Sequence, residues 1–426
     1  MGARLTRLAL ALAVWLLAAA AARAGTAEVD AGTLTGKLIF GYQGWFACPG
    51  DAAGRGWVHW RDPKGFTVDM LPDVAELPGA ERCDTGLRAP DGAEVDVYSA
   101  QNRATVERHF AWMARYGLDG VALQRFATGL LHDATRQAMD RVLANVRAGA
   151  EAHGRVFFVM YDLSGMTSAQ LPLVAADWAR LVGEGLTGSP AYLRHRGHPL
   201  VALWGLGFSG RPITPQASLD LIDAIQRAGG ASLLGGVATG WREGDRDASP
   251  DPAWRAVWKR LAVISPWTVG RYADEAGAAR YARSDVAPGL AAAAALGADY
   301  MPVVFPGFTW RNLQHARDAN SAAPYNQTPR RCGRFWWRQM VEAVRAGATM
   351  VYGAMFDEVD EGTAMFKLVA RAADEPTDPG FVALDADGCA LPSDFYLRLA
   401  GEGAALLRAP ARAGDAFPLP LVPAKP

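Results

Sequence analysis

Two hydrophobic patterns alternate along the chain. Short, almost unbroken apolar runs, such as VFFVMY, PLVALWG and PVVF, are separated by longer stretches in which apolar side chains return every three or four positions. The first pattern suits a strand buried on both faces, the second an amphipathic helix. Strands are predicted at residues 37–42, 120–124, 156–161, 200–204, 233–238, 262–266, 300–305 and 350–356. Helices are predicted between them at 105–116, 135–153, 171–182, 215–228, 276–295 and 333–346. Eight β/α units in succession imply an α/β fold, a (β/α)8 TIM barrel with elaborated strand-to-helix loops. A doubly wound open sheet is the alternative, but GYQGWF, after the first strand, lacks the glycine spacing of a dinucleotide loop.

Three segments fall outside the alternation. Residues 1–24 combine Arg4 and Arg7 with an apolar run from Leu8 to Ala22 and the small-x-small string Ala22-Arg23-Ala24, which is the pattern of a secretory signal peptide. The run is too short to span a bilayer, where ~20 residues are needed. Residues 47–102 carry no helix-length pattern and read as an elaborated loop after the first strand. A last helix, FYLRLAGEGAALL, precedes a Pro/Ala-rich tail at 409–426 that is expected to be mobile. The boundaries are therefore a leader at 1–24, one barrel domain at 25–408 and the tail.

Charge and composition narrow the function. The 43 basic and 44 acidic residues leave a net charge of −1, and removing the leader takes away three arginines and no acid. That balance disfavours nucleic acid or an anionic membrane surface as a partner. The four cysteines, Cys48, Cys83, Cys332 and Cys389, allow three pairings in an exported protein. Sequence neighbours, Cys48 with Cys83 and Cys332 with Cys389, are preferred, because each pair would staple a long loop. No CxxC spacing supports a zinc ribbon, and neither metal nor organic cofactor is expected. The predicted location is secreted or periplasmic, without stable membrane insertion; oligomeric state is not readable.

The 14 tryptophans matter because their faces stack on sugar rings. Barrel enzymes carry their chemistry at the C-terminal ends of the strands. At those ends stand Gln43, Trp45, Gln124, Arg125, Asp162, Trp204, Trp267 and Trp310, with Thr239 and Trp241, and finally Asp357-Glu358-Val359-Asp360-Glu361-Gly362. Four carboxylates within five residues repel one another, so at least one should hold its proton. A protonated carboxylic acid beside an ionised one is the arrangement glycoside hydrolysis uses. The same string could instead be an acidic first turn of a helix. His59 and Trp60, in the long loop, either cover a sugar or pack that loop. Ser164 lacks the G-x-S-x-G elbow of a hydrolase triad. His195-x-x-His198 precedes a strand, on the stability face of a barrel, without a third ligand.

MFDEVDEGTAMF resembles the FNEWxEGT signature of the endo-α-mannosidase and endo-mannanase group, glycoside hydrolase family 99. VYSAQNRATVERHFAWMARYGLDGVALQRF, GHPLVALWG, PVVFPGFTWRN and LPSDFYLRLAG extend the likeness from about Leu38 to Ala400. The resemblance implies a (β/α)8 barrel that cleaves α-linked mannosides internally with retention. By position it assigns Glu358 as the base that helps the substrate's own 2-hydroxyl attack the anomeric carbon, and Glu361 as the general acid. The departures are Asp357 where the family has Asn, Val359 where it has an aromatic residue, Gln124-Arg125-Phe126 where it has a Ser-Trp pair, and GYQGWF where it has a Tyr-rich string. The related α-1,3-glucanases of family 71 keep glucan cleavage open. Substrate contacts are expected from Gln43, Trp45, Trp60, Gln124, Arg125, Asp162, Trp204, Trp267 and Trp310. The rival readings are a non-catalytic carbohydrate-binding barrel and a metal-dependent deacetylase, which lacks a ligand cluster.

Overall fold

Each predicted apolar run becomes a stave of one parallel barrel. A computed structural model describes residues 28–423, so the leader predicted at 1–24 lies outside the described residues. Strands β1 (Leu38–Tyr42), β2 (Gly120–Phe126), β3 (Val156–Asp162), β4 (His198–Leu206), β5 (Ser232–Val237) and β6 (Val263–Pro266) pair in that order, each parallel to the next. The seventh stave, β7, is in two pieces, Asp299–Tyr300 and Val303–Val304, and β8 is Val351–Gly353. The first piece pairs with β6 and the second with β8, while β8 pairs with β1 and closes the ring. Between the pieces, the Met301 N–H donates to the Ile264 carbonyl and the Pro302 carbonyl accepts from Tyr352. Pro302 has no N–H to give, and the regular ladder is interrupted there.

The strands are buried almost throughout, because side chains on one face fill the barrel and those on the other meet the helices. Where β1 faces β8 the interior is narrow: a Cβ on Gly41 would sit 2.1 Å from both Tyr352 Oη and Met355 Cε.

Helices α1 (Arg103–Tyr116), α2 (Asp133–His153), α3 (Leu171–Gly183) and α4 (Pro215–Gly229) match the predicted stretches within two residues. The Asn102 side chain caps α1 by accepting the Ala104 N–H, and Gly117, at φ 76°, ends it in the left-handed conformation. A short α5 (Trp254–Trp258) is too brief to show in the periodicity. The single helix predicted at 276–295 is α6 (Glu275–Tyr281) and α7 (Ala287–Ala295), joined through a π-helical turn at Ala282–Val286. Pro288 cannot donate to the Ser284 carbonyl, and Arg242 donates to that oxygen instead, at 3.2 Å. Helices α8 (Arg311–Arg317), α9 (Arg334–Arg345) and α10 (Phe395–Arg408) complete the shell.

The long first loop holds two hairpins in place of helices, Arg61–Asp62 with Gly65–Phe66 and Arg82–Arg88 with Glu94–Tyr98. Both neighbour pairings of the cysteines are formed, Cys48–Cys83 within this loop and Cys332–Cys389 beside α9. Such bonds fit an oxidising, extracytoplasmic compartment. The stretch after Arg408, expected to be mobile, makes defined contacts: Asp415 pairs with Arg345 at 2.9 Å, Phe417 stacks on Phe395, and Val422–Pro423 pairs with Cys389–Ala390. No helix among the described residues is long and apolar enough to cross a membrane. His195 is buried at the N-terminal mouth of the barrel, its Nε2 2.8 Å from Asp299, so it fastens β4 to β7.

Candidate active site

The end of β8 and the end of β1 are joined by a carboxylate. Asp357 is fully buried and accepts the N–H groups of Gln43 at 2.7 Å and Gly44 at 2.9 Å. This clamp fixes the direction in which the next residue leaves the strand. Glu358 then receives two donors, Gln43 Nε2 on one oxygen and Thr363 Oγ1, at 2.6 Å, on the other. Thr363 is brought back to it by a tight loop, in which its own N–H donates to the Glu358 carbonyl at 3.0 Å. Glu361 is pinned through its backbone, its carbonyl accepting the Thr309 N–H at 3.0 Å. Among the described residues no hydrogen bond reaches the Glu361 carboxylate.

Both glutamates line one cavity of about 810 Å³ at the C-terminal mouth of the barrel, together with Gln43, Trp45, Gln124, Asp162, Trp204 and Trp267. Gln124 points inward and donates to Tyr352 Oη at 2.8 Å. Asp162 accepts the Ser164 N–H at 2.7 Å. Trp204 and Trp267 meet edge to face, with centroids 5.3 Å apart and planes at 82°, and form one wall. Gly236 makes room for it, since a Cβ there would lie 2.4 Å from Trp204 Cδ1. Arg211 covers Trp204 from 4.8 Å.

Three predicted contacts are placed elsewhere. Trp60 is fully buried under the first loop, where Nε1 donates to the Tyr98 carbonyl at 2.7 Å and the ring packs on Phe46; it is a core residue. Trp310 packs on Phe308 outside the cavity lining. Arg125 borders the cavity, but its guanidinium points out of the barrel to Asp177 at 2.6 Å and 2.8 Å and to Asp140 at 2.6 Å. Adjacent residues of a strand point to opposite faces, so Gln124 and Arg125 could never both face the substrate. Trp45 lines the cavity, but His59 lies flat on its indole, with centroids 3.8 Å apart and planes at 3°, and Phe126 packs on it at 4.9 Å. Arg317 lines the cavity without having been read from the sequence, and His59 and Asp360, noted there without an assigned contact, join it.

Electrostatically the cavity floor is acidic, and its carboxylates Glu358 and Asp360 are buried. Burial, with the charges of Glu361 and Asp360, raises Glu358 well above the ordinary carboxylate range, against which its two donors act. Burial and Asp360 raise Glu361 to about 7, with Arg317 opposing. Asp357 is also pushed up to about 7 by burial, and Asp162 is raised for the same reason. The two glutamates share their protons as a pair. Donors favour the ionised form; Glu358 has two of them set against its deeper burial, and Glu361 has none. No cluster of three or more His, Cys, Asp or Glu side chains among the described residues is arranged to hold a metal ion.

No protein-family model matches the sequence, and no curated protein does. The structure superposes on a GH99 endo-alpha-mannosidase from Bacteroides thetaiotaomicron solved in complex with bis-tris-propane, with a TM-score of 0.62, 14% identity, and 90% of this chain and 100% of that one covered. The chain has the fold of this endo-alpha-mannosidase. A second structure of a GH99 endo-alpha-mannosidase from that organism gives a TM-score of 0.61 at 14% identity, covering 89% and 99%. A glycoside hydrolase-like protein gives 0.51 at 11% identity, covering 76% and 91%.

Proposed function

We propose that the chain is a secreted or periplasmic glycoside hydrolase, directed there by the leader at 1–24, that cleaves an α-linked glycan, with a mannoside-type substrate the first choice. The observation that carries the reading is a geometric asymmetry between two carboxyls in one cavity: burial raises both above the ordinary carboxylate range, but Glu358 has a donor on each oxygen whereas Glu361 has none. The two donors are placed to receive the negative charge on the first, and the second is the carboxyl left free to deliver a proton. In the reaction, Glu361 gives its proton to the glycosidic oxygen as the bond to the anomeric carbon breaks. Glu358 takes the proton of the substrate's 2-hydroxyl, whose oxygen closes on that carbon to form an anhydro sugar. Water then opens the ring, giving one proton to Glu361 while Glu358 returns its own to the 2-oxygen, and both carboxyls regain their starting states. Gln43 orients Glu358, and Trp204 with Trp267 supplies the apolar face for a sugar ring.

Release of reducing sugar from α-mannans, α-1,3-glucans, xylans and arabinans, compared between wild type and Glu361→Gln, tests this. Turnover on one polymer that is lost in the variant supports the reading and names the substrate. Binding without turnover in wild type, unchanged in the variant, favours a carbohydrate-binding barrel. On the hydrolysed polymer, Trp267→Ala is expected to raise KM roughly tenfold through lost stacking, with a smaller change in kcat. An unchanged KM would take that wall out of the binding site.

A further inference from the structure

His59 stands in the loop after β1, at the point where that loop enters the cavity. Three contacts hold it there. Its ring lies flat on Trp45 at 3.8 Å, its Nδ1 is 3.2 Å from Asp360 Oδ2, and its carbonyl accepts the Thr67 hydroxyl at 2.6 Å. Its backbone is in the left-handed region, φ 61°, which is costly for a side chain with a Cβ. The flanking residues enforce that conformation: Val58 is bridged to Ala47 on one side, and Trp60 is fully buried on the other. The His59 side chain is nevertheless 38% exposed, while that of Asp360 is 3% exposed. Strain that is maintained by anchored neighbours and ends in an accessible imidazole is the signature of a placed group rather than of packing.

His59 and Phe126 make no ring contact with each other although both pack on Trp45. They therefore cover different sides of the indole, and a sugar cannot stack there. What the cavity meets on this wall is the outer side of the imidazole. Asp360 carries a carboxylate oxygen toward Nδ1, so the neutral ring keeps its proton on that nitrogen and leaves Nε2 as an acceptor. Nε2 makes no hydrogen bond within the protein among the described residues.

We propose that His59 is a specificity-determining residue: Asp360 fixes its tautomer and Trp45 its plane, so that Nε2 accepts a hydrogen bond from a hydroxyl of the sugar held beside Glu361. Asp360 and Trp45 are then positioning residues. The ligand class is a glycan with a free hydroxyl at that position, and a ring that is deoxygenated or alkylated there is rejected. The assignment of a sugar as ligand rests on the glycosidase reading above; the tautomer does not.

Two measurements test it. The first is titration of the Glu361→Gln protein with oligosaccharides prepared from α-mannan, α-1,3-glucan, xylan and arabinan, repeated on the polymer bound with His59→Ala and His59→Phe added. Affinity is expected to fall tenfold or more in both, since phenylalanine keeps the stacked ring without the acceptor. Full affinity in His59→Phe overturns the hydrogen bond, and full affinity in both overturns the contact. The second is the 15N spectrum of histidine-labelled enzyme, assigned with His59→Gln. A protonated Nδ1 and bare Nε2 in wild type, with that preference lost in Asp360→Ala, supports the arrangement. A ring protonated on Nε2 in the unliganded enzyme overturns it. If no oligosaccharide binds even to the Glu361→Gln protein, the glycosidase reading fails and the spectrum alone decides whether Asp360 sets the tautomer.

Discussion

Replacing Glu361 by glutamine is expected to lower turnover by about 10²–10⁴-fold, the usual contribution of a positioned acid, and to leave glycan affinity close to that of wild type. The same substitution is expected to make the protein more stable at neutral pH. Glu361 is raised to about 7 by burial and by Asp360, so the folded state holds a proton that the unfolded chain has released above its ordinary range near 4.5. Between those two values the native state binds more protons than the unfolded state, and the contribution of this group to stability falls as pH rises. Glutamine stands in for the protonated form throughout. The variant should therefore gain about 1–3 kcal/mol over wild type near pH 7.5, with the gap closing toward pH 4. Thermal melts across that range read the difference directly; a variant less stable at pH 7.5 contradicts the buried, proton-holding state. In wild type, kcat should decline as pH rises through about 7, because the acid is then ionised, and that alkaline limb should disappear from the residual rate of the variant.

Arg125→Met should do the reverse, costing stability while sparing substrate recognition. Arg125 is 1% exposed, its guanidinium is shared by Asp177 and Asp140, and Asp177 also accepts the Tyr161 hydroxyl at 2.7 Å. Removing the cation leaves Asp177, itself 6% exposed, with Arg180 as its remaining charged partner. Deleting one member of a buried pair costs about 3–5 kcal/mol. Denaturant unfolding measures this, and KM on the hydrolysed polymer should be unchanged. Adding Asp177→Leu should recover part of the loss, since Asp140 keeps both Arg136 and Arg180. A raised KM with native stability would return Arg125 to the substrate, as its strand-end position suggests.

Arg125 also shows where sequence reading stops. The barrel is legible because a parallel strand buried on both faces leaves an apolar run that needs no tertiary information to recognise, and all eight runs became staves. Gln43, Gln124, Asp162, Trp204, Trp267 and the two glutamates, picked out by their place at the C-terminal end of each run, line the cavity together. That criterion does not distinguish the two faces. Applying the two-residue alternation to the pair Gln124-Arg125 would have removed one of them in advance. The first loop is opaque for a different reason: Trp60 and His59 are neighbours of equal promise in GRGWVHWRD, and nothing in the sequence says which of them enters the core; in the structure it is Trp60 that is buried and His59, at φ 61°, that faces the cavity. The break in β7 at Pro302 is hinted at by the proline, but its effect on pairing depends on β6 and β8 together.

The pairing of β1 with β8 has a consequence for the order in which this chain matures. Leu38 meets Val351, and Gln43 meets Glu358, across more than three hundred residues of intervening chain. Contacts so distant in sequence form late and slowly. A chain interrupted just before β8 has its tryptophan wall and its first loop, yet it lacks both Glu358 and Glu361. On the proposed reading both glutamates are brought into place in one step at ring closure, and any hydrolytic activity that appears during refolding should coincide with protection of the Gln43 and Gly44 amides from exchange.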